Sequence, residues 1–410
     1  MAARDVLIVA ARRSAVAPVG GAYAALSAHE LGVPVLRALL DGSGVAAGAV
    51  DLVLLGNALG AGGNPARLLA LAAGLPDRVG ALSIDSQCDA GLDAITLAAS
   101  LIASGQADVV IAGGVEAWSR APLRAHRPPD PQGAPQPYER PAFAPDAARD
   151  PDLLAAATAL ARDGGHTRVL QDAWAAESHH RARAARAELA DEIVPIAGLD
   201  HDAAPRLTDA ARAARLPPAW RSATGLGAPD GPAPDTDPAH APGLLGVAPK
   251  ADGAALVLLA SESACERLGL GPSRRPIARW LAGAITGGAP ERPMACTADA
   301  ARAVLVRAGL APAGWAGPID ASALAVIELH DAFAVQALAT AQALGLDPLR
   351  LNRRGGGLAR GHPIGASGAI ALVRVLADLA RDHPPGATGL ALIAAAGGLG
   401  AAALVQTIRP

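Results

Sequence analysis

Residues 83–114 read SIDSQCDAGLDAITLAASLIASGQADVVIAGG, and this stretch decides how the rest of the chain is interpreted. Apolar residues follow Cys88 up to Gly105, and a second apolar run then ends in Gly113-Gly114, which predicts a helix followed by a buried strand. A cysteine at a helix N-terminus experiences the positive end of the helix dipole, which favours the thiolate. Cys88 is therefore a candidate nucleophile, although a lone cysteine is more often a buried apolar residue.

The C-terminal part of the chain repeats the plan of the N-terminal part. Strands alternate with helices in both parts, which predicts βαβ units and a mostly parallel sheet. When Gly56 is aligned with His330, Cys88 falls opposite His362, because both intervals are 32 residues. Complementary residues at equivalent points of a duplication predict an active site on the seam between the two halves.

Two histidines at this seam are candidates to act with the cysteine. His330 directly follows the apolar run ALAVIEL, and the ends of such strands commonly present functional groups. His362 lies in the glycine-rich stretch RRGGGLARGHPIGASG, for which mononucleotide binding is the alternative, but no GK[ST] follows. Each histidine alone is more often structural, whereas Cys88, His330 and His362 together favour catalysis. The remaining histidines show no metal-ligand spacing, so no metal is expected, and a solvated helix is predicted to carry His179 and His180.

Composition excludes several classes of protein. A net charge of −3 and 2% aromatic residues give neither the basic stripe nor the stacking platforms of a nucleic-acid binder. Cys88, Cys265 and Cys296 are too few and too irregularly spaced for a disulfide framework, which favours a reducing cytoplasm. No apolar run approaches the roughly 20 residues of a membrane span. Lys250 is the only lysine, which we attribute to composition rather than to function.

An insertion interrupts the first half. Two proline-rich stretches, RPPDPQGAPQPYERP and GAPDGPAPDTDPAHAPG, enclose a helical segment, QDAWAAESHHRARAARAELA. Such a segment is typical of a lid or a substrate loop lying over the core. We therefore predict an N-terminal half at residues 1–119, completed by 247–273, an inserted domain at 120–246 and a C-terminal half at 274–410.

Over nearly its whole length the chain resembles the thiolase family. The matching motifs are SQCDAGLDAI, HDAFAVQALA, GGGLARGHPIGASG and GLALIAAAGGLGAAAL. The resemblance implies a five-layered αβαβα fold of two related halves, with a loop domain inserted in the first. It also implies that Cys88 accepts an acyl group from a thioester and that His362 activates the thiol as a base. Oxyanions would be stabilised by His362 with His330, and by the backbone N–H groups of Cys88 and Ala396.

The departures from the family pattern concern the second substrate. Thiolases carry a second cysteine as acid and base, and its two known positions are occupied here by Ala394 and Ala332. Cys296 is a weaker candidate to replace it. The segments that would contact the pantetheine arm also differ from the pattern, and the resemblance implies four substrate-binding residues: Phe333, Ala332, Leu153 and Ala248.

These features predict a C-acyltransferase that forms a carbon–carbon bond by a Claisen-type condensation and is biosynthetic rather than thiolytic. The alternatives are a catalytically reduced subunit that acts as a scaffold, a decarboxylating ketosynthase-like enzyme, and an enzyme that moves the acyl group to water or oxygen. The thioester of coenzyme A or of an acyl carrier protein would be a substrate, with no further cofactor. By resemblance, the chain would form a homodimer or homotetramer.

Overall fold

The computed structural model describes residues 4–60, 62–219, 237–270 and 276–408. The predicted boundary at residues 273/274 and most of the second proline-rich stretch, at 227–243, lie outside these ranges. Within the described ranges, no helix is both long and apolar enough to cross a membrane.

Nine main strands form one continuous mixed sheet in the described part of the chain, and each half of the molecule contributes its own part of this sheet. They are β1 (Val6–Ser14), β2 (Leu52–Gly56), β3 (Gly80–Ile84), β4 (Val109–Ala117), β5 (Ala251–Ser261), β6 (Ala278–Gly287), β7 (Val326–Leu329), β8 (Thr388–Ala395) and β9 (Leu399–Thr407). Their order is β7-β8-β9-β6-β1-β5-β4-β2-β3. The sheets of the two halves meet at β1 and β6, where only Leu7 and Ile8 pair with Arg279 and Ala278.

The expectation of a mostly parallel sheet is wrong. β2 runs parallel to β3 and β4, and β7 runs parallel to β8, but the other neighbouring strands are antiparallel. β9 returns directly alongside β8 because Gly397 and Gly398 form the turn, with φ of 82° and 78°. Ala395 pairs with Leu399, so the turn has three residues, and its last two adopt the positive φ angles that a Gly-Gly pair supplies without strain.

Helices fill the spaces around this sheet. They are α1 (Ala28–Ser43), α2 (Pro65–Ala73), α3 (Ala90–Ala103), α4 (Leu153–Gly164), α5 (Arg168–Ala184), α6 (Cys296–Arg307), α7 (Ala334–Leu344) and α8 (Ser367–Asp382). α3 and α8 pack against each other and lie between the sheets of the two halves, while α1 and α2 cover the first half and α6 and α7 the second. This is the five-layered αβαβα arrangement that the resemblance implies.

The two halves are in close backbone contact at the N-terminal ends of the central helices. A Cβ atom on Gly91, in the first turn of α3, would come within 2.6 Å of the carbonyl oxygen of Gly365. A Cβ atom on Gly114, in β4, would collide with the same oxygen. Only glycine allows backbones to come this close. The loop before α8 is therefore held directly against the start of α3.

The insertion contributes α4 and α5, and α5 is less solvated than expected. His179, which we expected on a solvated helix, is buried, and its Nδ1 accepts a hydrogen bond from the backbone N–H of Arg206 at 3.2 Å. The following segment folds back over α5, which the residue pattern of the helix alone does not reveal. The division into residues 1–119 with 247–273, 120–246 and 274–410 stays a prediction.

A buried ionic network joins the insertion to both halves. Arg13 of β1 donates from Nε to Glu192 at 2.6 Å and pairs through its Nη atoms with Asp202 at 2.7 Å. Arg374 of α8 pairs with the other oxygen of Glu192 and with Asp378 at 2.7 Å. Both arginine side chains are fully buried. Burial alone would raise the pKa of Glu192, but the guanidinium groups of Arg374 and Arg13 outweigh it and hold that pKa below its usual range.

Candidate active site

Cys88 lies in a short turn directly before α3. The turn spans Gln87–Asp89, and Gln87 has φ of 58°, which is uncommon for a residue other than glycine. The Asp85 carboxylate holds this conformation by accepting from the Gln87 backbone N–H at 2.9 Å and from its side-chain amide at 3.1 Å. The turn presents the half-buried Cys88 sulfur to the histidine loop, where Sγ lies 3.1 Å from Nε2 of His362.

The hydrogen bonds around His362 favour one tautomer. The Ser367 hydroxyl donates its only proton to the carbonyl oxygen of Pro363 at 3.0 Å. With that proton donated to Pro363, the Ser367 oxygen, 2.7 Å from Nδ1 of His362, accepts from an Nδ1–H group. Nε2 is then unprotonated and faces the thiol of Cys88. Burial lowers the pKa of His362 to about 4, so the ring is neutral at pH 7 and can act as a base.

His330 lies beside His362 at the end of β7. The two ring centroids are 4.4 Å apart, with planes inclined by 33°. His330 is buried, and its Nε2 has no hydrogen-bond partner among the described residues. Burial, and next the neighbouring His362 and Arg360, hold the pKa of His330 well below its usual value. A neutral imidazole with an unpartnered nitrogen can supply a hydrogen bond to a substrate oxygen.

Backbone N–H groups approach the sulfur from two segments. Those of Ala396 and of Cys88 itself are directed at the thiol and favour its ionisation. Burial, followed by the Asp89 carboxylate, outweighs them and raises the pKa of Cys88 to about 12. The resting pair is therefore a neutral thiol against a neutral imidazole, and the thiolate has to be generated by proton transfer to His362.

Asp89 is a buried carboxyl group directly after the nucleophile. It is fully buried, and neither of its oxygens has a hydrogen-bond partner among the described residues. Burial, together with Asp93 one helical turn further on, raises the pKa of Asp89 well above its usual value. An unpartnered buried carboxyl group is far more stable protonated than ionised, which is the direction of this shift.

Replacing Asp89 with asparagine is therefore expected to change the alkylation of Cys88 only at high pH. The two rate–pH profiles with iodoacetamide should coincide while Asp89 is protonated. Above the Asp89 pKa the alkylation rate of wild type should be lower than that of Asp89→Asn. The Asp89 carboxylate then opposes the Cys88 thiolate, whereas asparagine carries no charge. The pH of divergence measures the Asp89 pKa. Asp41→Asn, at an exposed carboxylate near the C-terminal end of α1, is the control. Profiles that already differ at pH 6 would show that Asp89 is ionised.

The four expected substrate-binding residues lie together. Phe333, Ala332 and Leu153 belong to one apolar cluster between α4 and the start of α7. Ala248 joins this cluster through its backbone N–H, which donates to the carbonyl oxygen of Ala332 at 2.9 Å. The cluster adjoins His330 along the chain, and its role in binding an acyl chain or a pantetheine arm stays a prediction.

Cys296 occupies the first position of α6. It is buried, and a Cβ atom on Gly288 would lie 2.8 Å from its sulfur. Gly288 in turn donates to the carbonyl oxygen of Gly398 at 2.7 Å, so the thiol sits behind the turn between β8 and β9. Burial, followed by the carboxylates of Asp299 and Asp89, raises the pKa of Cys296 to about 11. Cys296 is thus a neutral thiol at pH 7.

Sequence reasoning missed two residues that hold the site. Glu116, at the end of β4, accepts hydrogen bonds from Asn57 Nδ2 at 2.8 Å, from the Ala58 and Leu59 backbones, and from the Gly365 N–H at 2.9 Å. It therefore ties a loop of the first half to the histidine loop of the second. A charged residue inside the apolar run VVIAGGVEA was the available signal. Ser367, five residues after His362, stands in the quoted glycine-rich motif but received no role.

Comparisons with known proteins agree with this architecture. Two family models match: Thiolase, N-terminal domain, over residues 6–225, and Thiolase, C-terminal domain, over residues 275–407. An acetyl-CoA acetyltransferase of Thiocystis violacea is 35% identical over 421 residues, which cover 98% of this chain and 99% of that protein. One of Pseudomonas aeruginosa is 37% identical over 396 residues, covering 92% and 93%.

A solved structure gives the same result for the fold. The crystal structure of the Bacillus anthracis acetyl-CoA acetyltransferase superposes with a TM-score of 0.82 and 30% sequence identity, covering 99% of this chain and 100% of that one. Agreement of this extent reaches both halves and the insertion. The chain belongs to the thiolase family and is an acyltransferase.

Proposed function

We propose that this acyltransferase forms carbon–carbon bonds by a Claisen-type condensation through an acyl-Cys88 intermediate. The observation that carries the proposal is the 3.1 Å contact between Cys88 Sγ and Nε2 of His362. A nucleophile within hydrogen-bond reach of a base that a third group orients is the usual arrangement of covalent acyl transfer. Ser367 is the orienting group here.

In the first half-reaction His362 Nε2 takes the proton of the thiol, and the sulfur attacks the thioester carbonyl carbon. The resulting oxyanion accepts hydrogen bonds from the backbone N–H groups of Cys88 and Ala396. Collapse of the tetrahedral intermediate breaks the bond from carbon to the leaving sulfur. His362 returns its proton to the departing thiolate, which leaves acyl-Cys88 and a free thiol.

In the second half-reaction a carbon nucleophile that arrives already ionised, as a stabilised enolate, attacks acyl-Cys88, and its enolate oxygen is held by His330 and His362. The new carbon–carbon bond forms as the bond from the acyl carbon to Cys88 Sγ breaks, and solvent supplies the proton that restores the thiol. The positions where the family carries its second cysteine are Ala394 and Ala332, and neither can move a proton. We therefore propose that the enzyme is biosynthetic and cleaves 3-ketoacyl thioesters poorly. A decarboxylating acceptor, which generates its carbanion without a base, is the second candidate, and the neutral His330–His362 pair favours it.

The acyl donor is proposed to be a thioester of coenzyme A, as the names of the relatives suggest, with an acyl carrier protein as the alternative donor.

A homodimer or homotetramer stays a proposal from the resemblance. One feature supports it: β3 is the last strand in the sheet order and exposes Leu82, with the exposed Leu68 and Leu71 on the adjoining α2. An apolar, unpaired sheet edge is suited to pairing with another chain.

The proposal is tested by measuring the intact mass of the protein after incubation with acetyl-CoA and longer acyl-CoAs. Wild type is expected to gain one acyl group, and Cys88→Ala none, because only the Cys88 thiol is paired with a base. Cys265→Ala is the matched control, since Cys265 is a buried thiol in the helix Glu262–Arg267. An adduct that persists in Cys88→Ala would refute the proposed intermediate. No adduct from any donor would instead favour the alternative that the protein is a catalytically reduced subunit acting as a scaffold.

A further inference from the structure

The only lysine of the chain lies at the seam. Of the 35 basic residues, 34 are arginine, and the exception is Lys250, directly before β5. Its backbone forms a parallel bridge with His362, whose N–H donates to the Pro249 carbonyl oxygen at 2.8 Å. The single lysine of this arginine-rich chain therefore lies beside His362, the proposed catalytic base.

The lysine side chain rests on a rigid aromatic surface. The Lys250 ammonium lies 4.7 Å from the centroid of the Trp118 ring. The turn that carries Trp118 is fixed by Ser119, which donates to the Asp252 carboxylate from its backbone N–H at 2.8 Å and from its hydroxyl at 2.5 Å. Asp252 itself is fully buried in β5. The ammonium and its platform are thus both held by the strand that starts at the seam.

No carboxylate of the described residues pairs directly with this ammonium. Among those residues the Lys250 ammonium has neither a salt bridge nor a hydrogen bond, although it has three N–H donors, while the Lys250 backbone carbonyl accepts from the Val19 N–H at 3.1 Å. Partial burial lowers its pKa, while the Glu139 carboxylate opposes that effect and Arg124 adds to it. Contact with an indole face stabilises a cation only modestly. A half-buried cation with free donors beside an active site is suited to an anionic group of the substrate.

We infer that Lys250 binds a carboxylate at the far end of the acyl chain, so that the enzyme selects dicarboxylic acyl thioesters; this rests on the proposed function. The backbone register of Lys250 beside His362 favours one of two anions. A phosphate of the carrier is separated from the thioester by the whole pantetheine arm. The carboxylate of a short dicarboxylic acyl group is only a few bonds from the carbonyl that Cys88 attacks, and Lys250 is registered beside His362.

The first test compares succinyl-CoA with butyryl-CoA, which have equal acyl chain lengths and differ in the terminal carboxylate. Wild type is expected to form the succinyl-Cys88 adduct about tenfold faster, since a charge-assisted hydrogen bond supplies a difference of that order. Lys250→Met should abolish or invert this ratio. Arg267→Met is the control, because Arg267 pairs with Asp108 at the opposite end of β4. Equal rates in wild type, or an unchanged ratio in Lys250→Met, would overturn the inference.

The second test does not depend on turnover. Reductive methylation with ¹³C-formaldehyde labels Lys250 and the N-terminal amine, so the lysine gives one NMR signal, which Lys250→Arg assigns by its loss. In Cys88→Ala, succinyl-CoA is expected to shift this signal and butyryl-CoA to leave it in place. Equal shifts from both would assign the contact to the carrier and overturn the inference. If no acyl-CoA, acetyl-CoA included, acylates wild type, the proposed function fails, and this titration still decides on Lys250.

Discussion

Replacing His362 with alanine is expected to slow the acylation of Cys88 by about a thousandfold at pH 7, as the loss of a positioned general base does. The thiol would then have to ionise without help, and burial together with Asp89 raises the Cys88 pKa to about 12. The fraction of thiolate at neutral pH is accordingly very small. Stopped acylation reactions analysed by intact mass give the rate.

The pH dependence separates loss of the base from damage to the fold. Burial lowers the pKa of His362 to about 4, so the wild-type rate should be nearly constant between pH 6 and 9, where the ring stays unprotonated. In His362→Ala the rate should rise about tenfold per pH unit over this range, because thiolate is formed only by direct ionisation. His126→Ala, at an exposed histidine, is the control. A flat profile in His362→Ala would show that another group takes the proton.

Replacing Glu192 with alanine is expected to lower the free energy of unfolding by about 3–5 kcal/mol. Glu192 is the only carboxylate in the described network that accepts from both Arg13 and Arg374, and both of these arginines are fully buried. Its loss leaves each of these two buried guanidinium groups without one of its carboxylate partners. Urea unfolding followed by circular dichroism measures the change.

Glu188→Ala is the matched control for this substitution. Glu188 lies four residues earlier, is exposed and pairs with Arg354 at 2.5 Å, so its loss should cost less than about 1 kcal/mol. The wild type should also lose stability as the pH falls through the lowered pKa of Glu192, below its ordinary value of 4.5, because protonation then breaks the pairs. Equal losses in the two variants would show that burial of the Glu192 network contributes nothing.

The seam was predictable from the sequence because the duplication preserves spacing. Equal intervals place Cys88 opposite His362, and folding brings these two residues into contact. The tautomer was not predictable, since it depends on the direction of one hydroxyl proton in Ser367. The hairpin between β8 and β9 could have been read from Gly397-Gly398, which would have corrected the expected parallel sheet.

Contacts made by the insertion were beyond the reach of sequence patterns. The burial of His179 depends on a segment that returns over α5, and the partners of Arg13 come from residues nearly two hundred positions away. Periodicity reports which face of an element is apolar, but not which distant charge lies against it. Lys250 is the opposite case. The sequence shows that it is the only lysine, but only the structure shows that it lies beside His362.

The contact of Gly91 and Gly114 with Gly365 bears on the construction of chimaeric enzymes. A half taken from a relative will assemble with the other half of this chain only if it keeps glycine at its side of the contact, because even one methyl group there would separate the backbones. The same displacement would draw His362 away from Cys88. Exchanging acyl specificity by swapping whole halves is therefore far more demanding than exchanging it through the insertion.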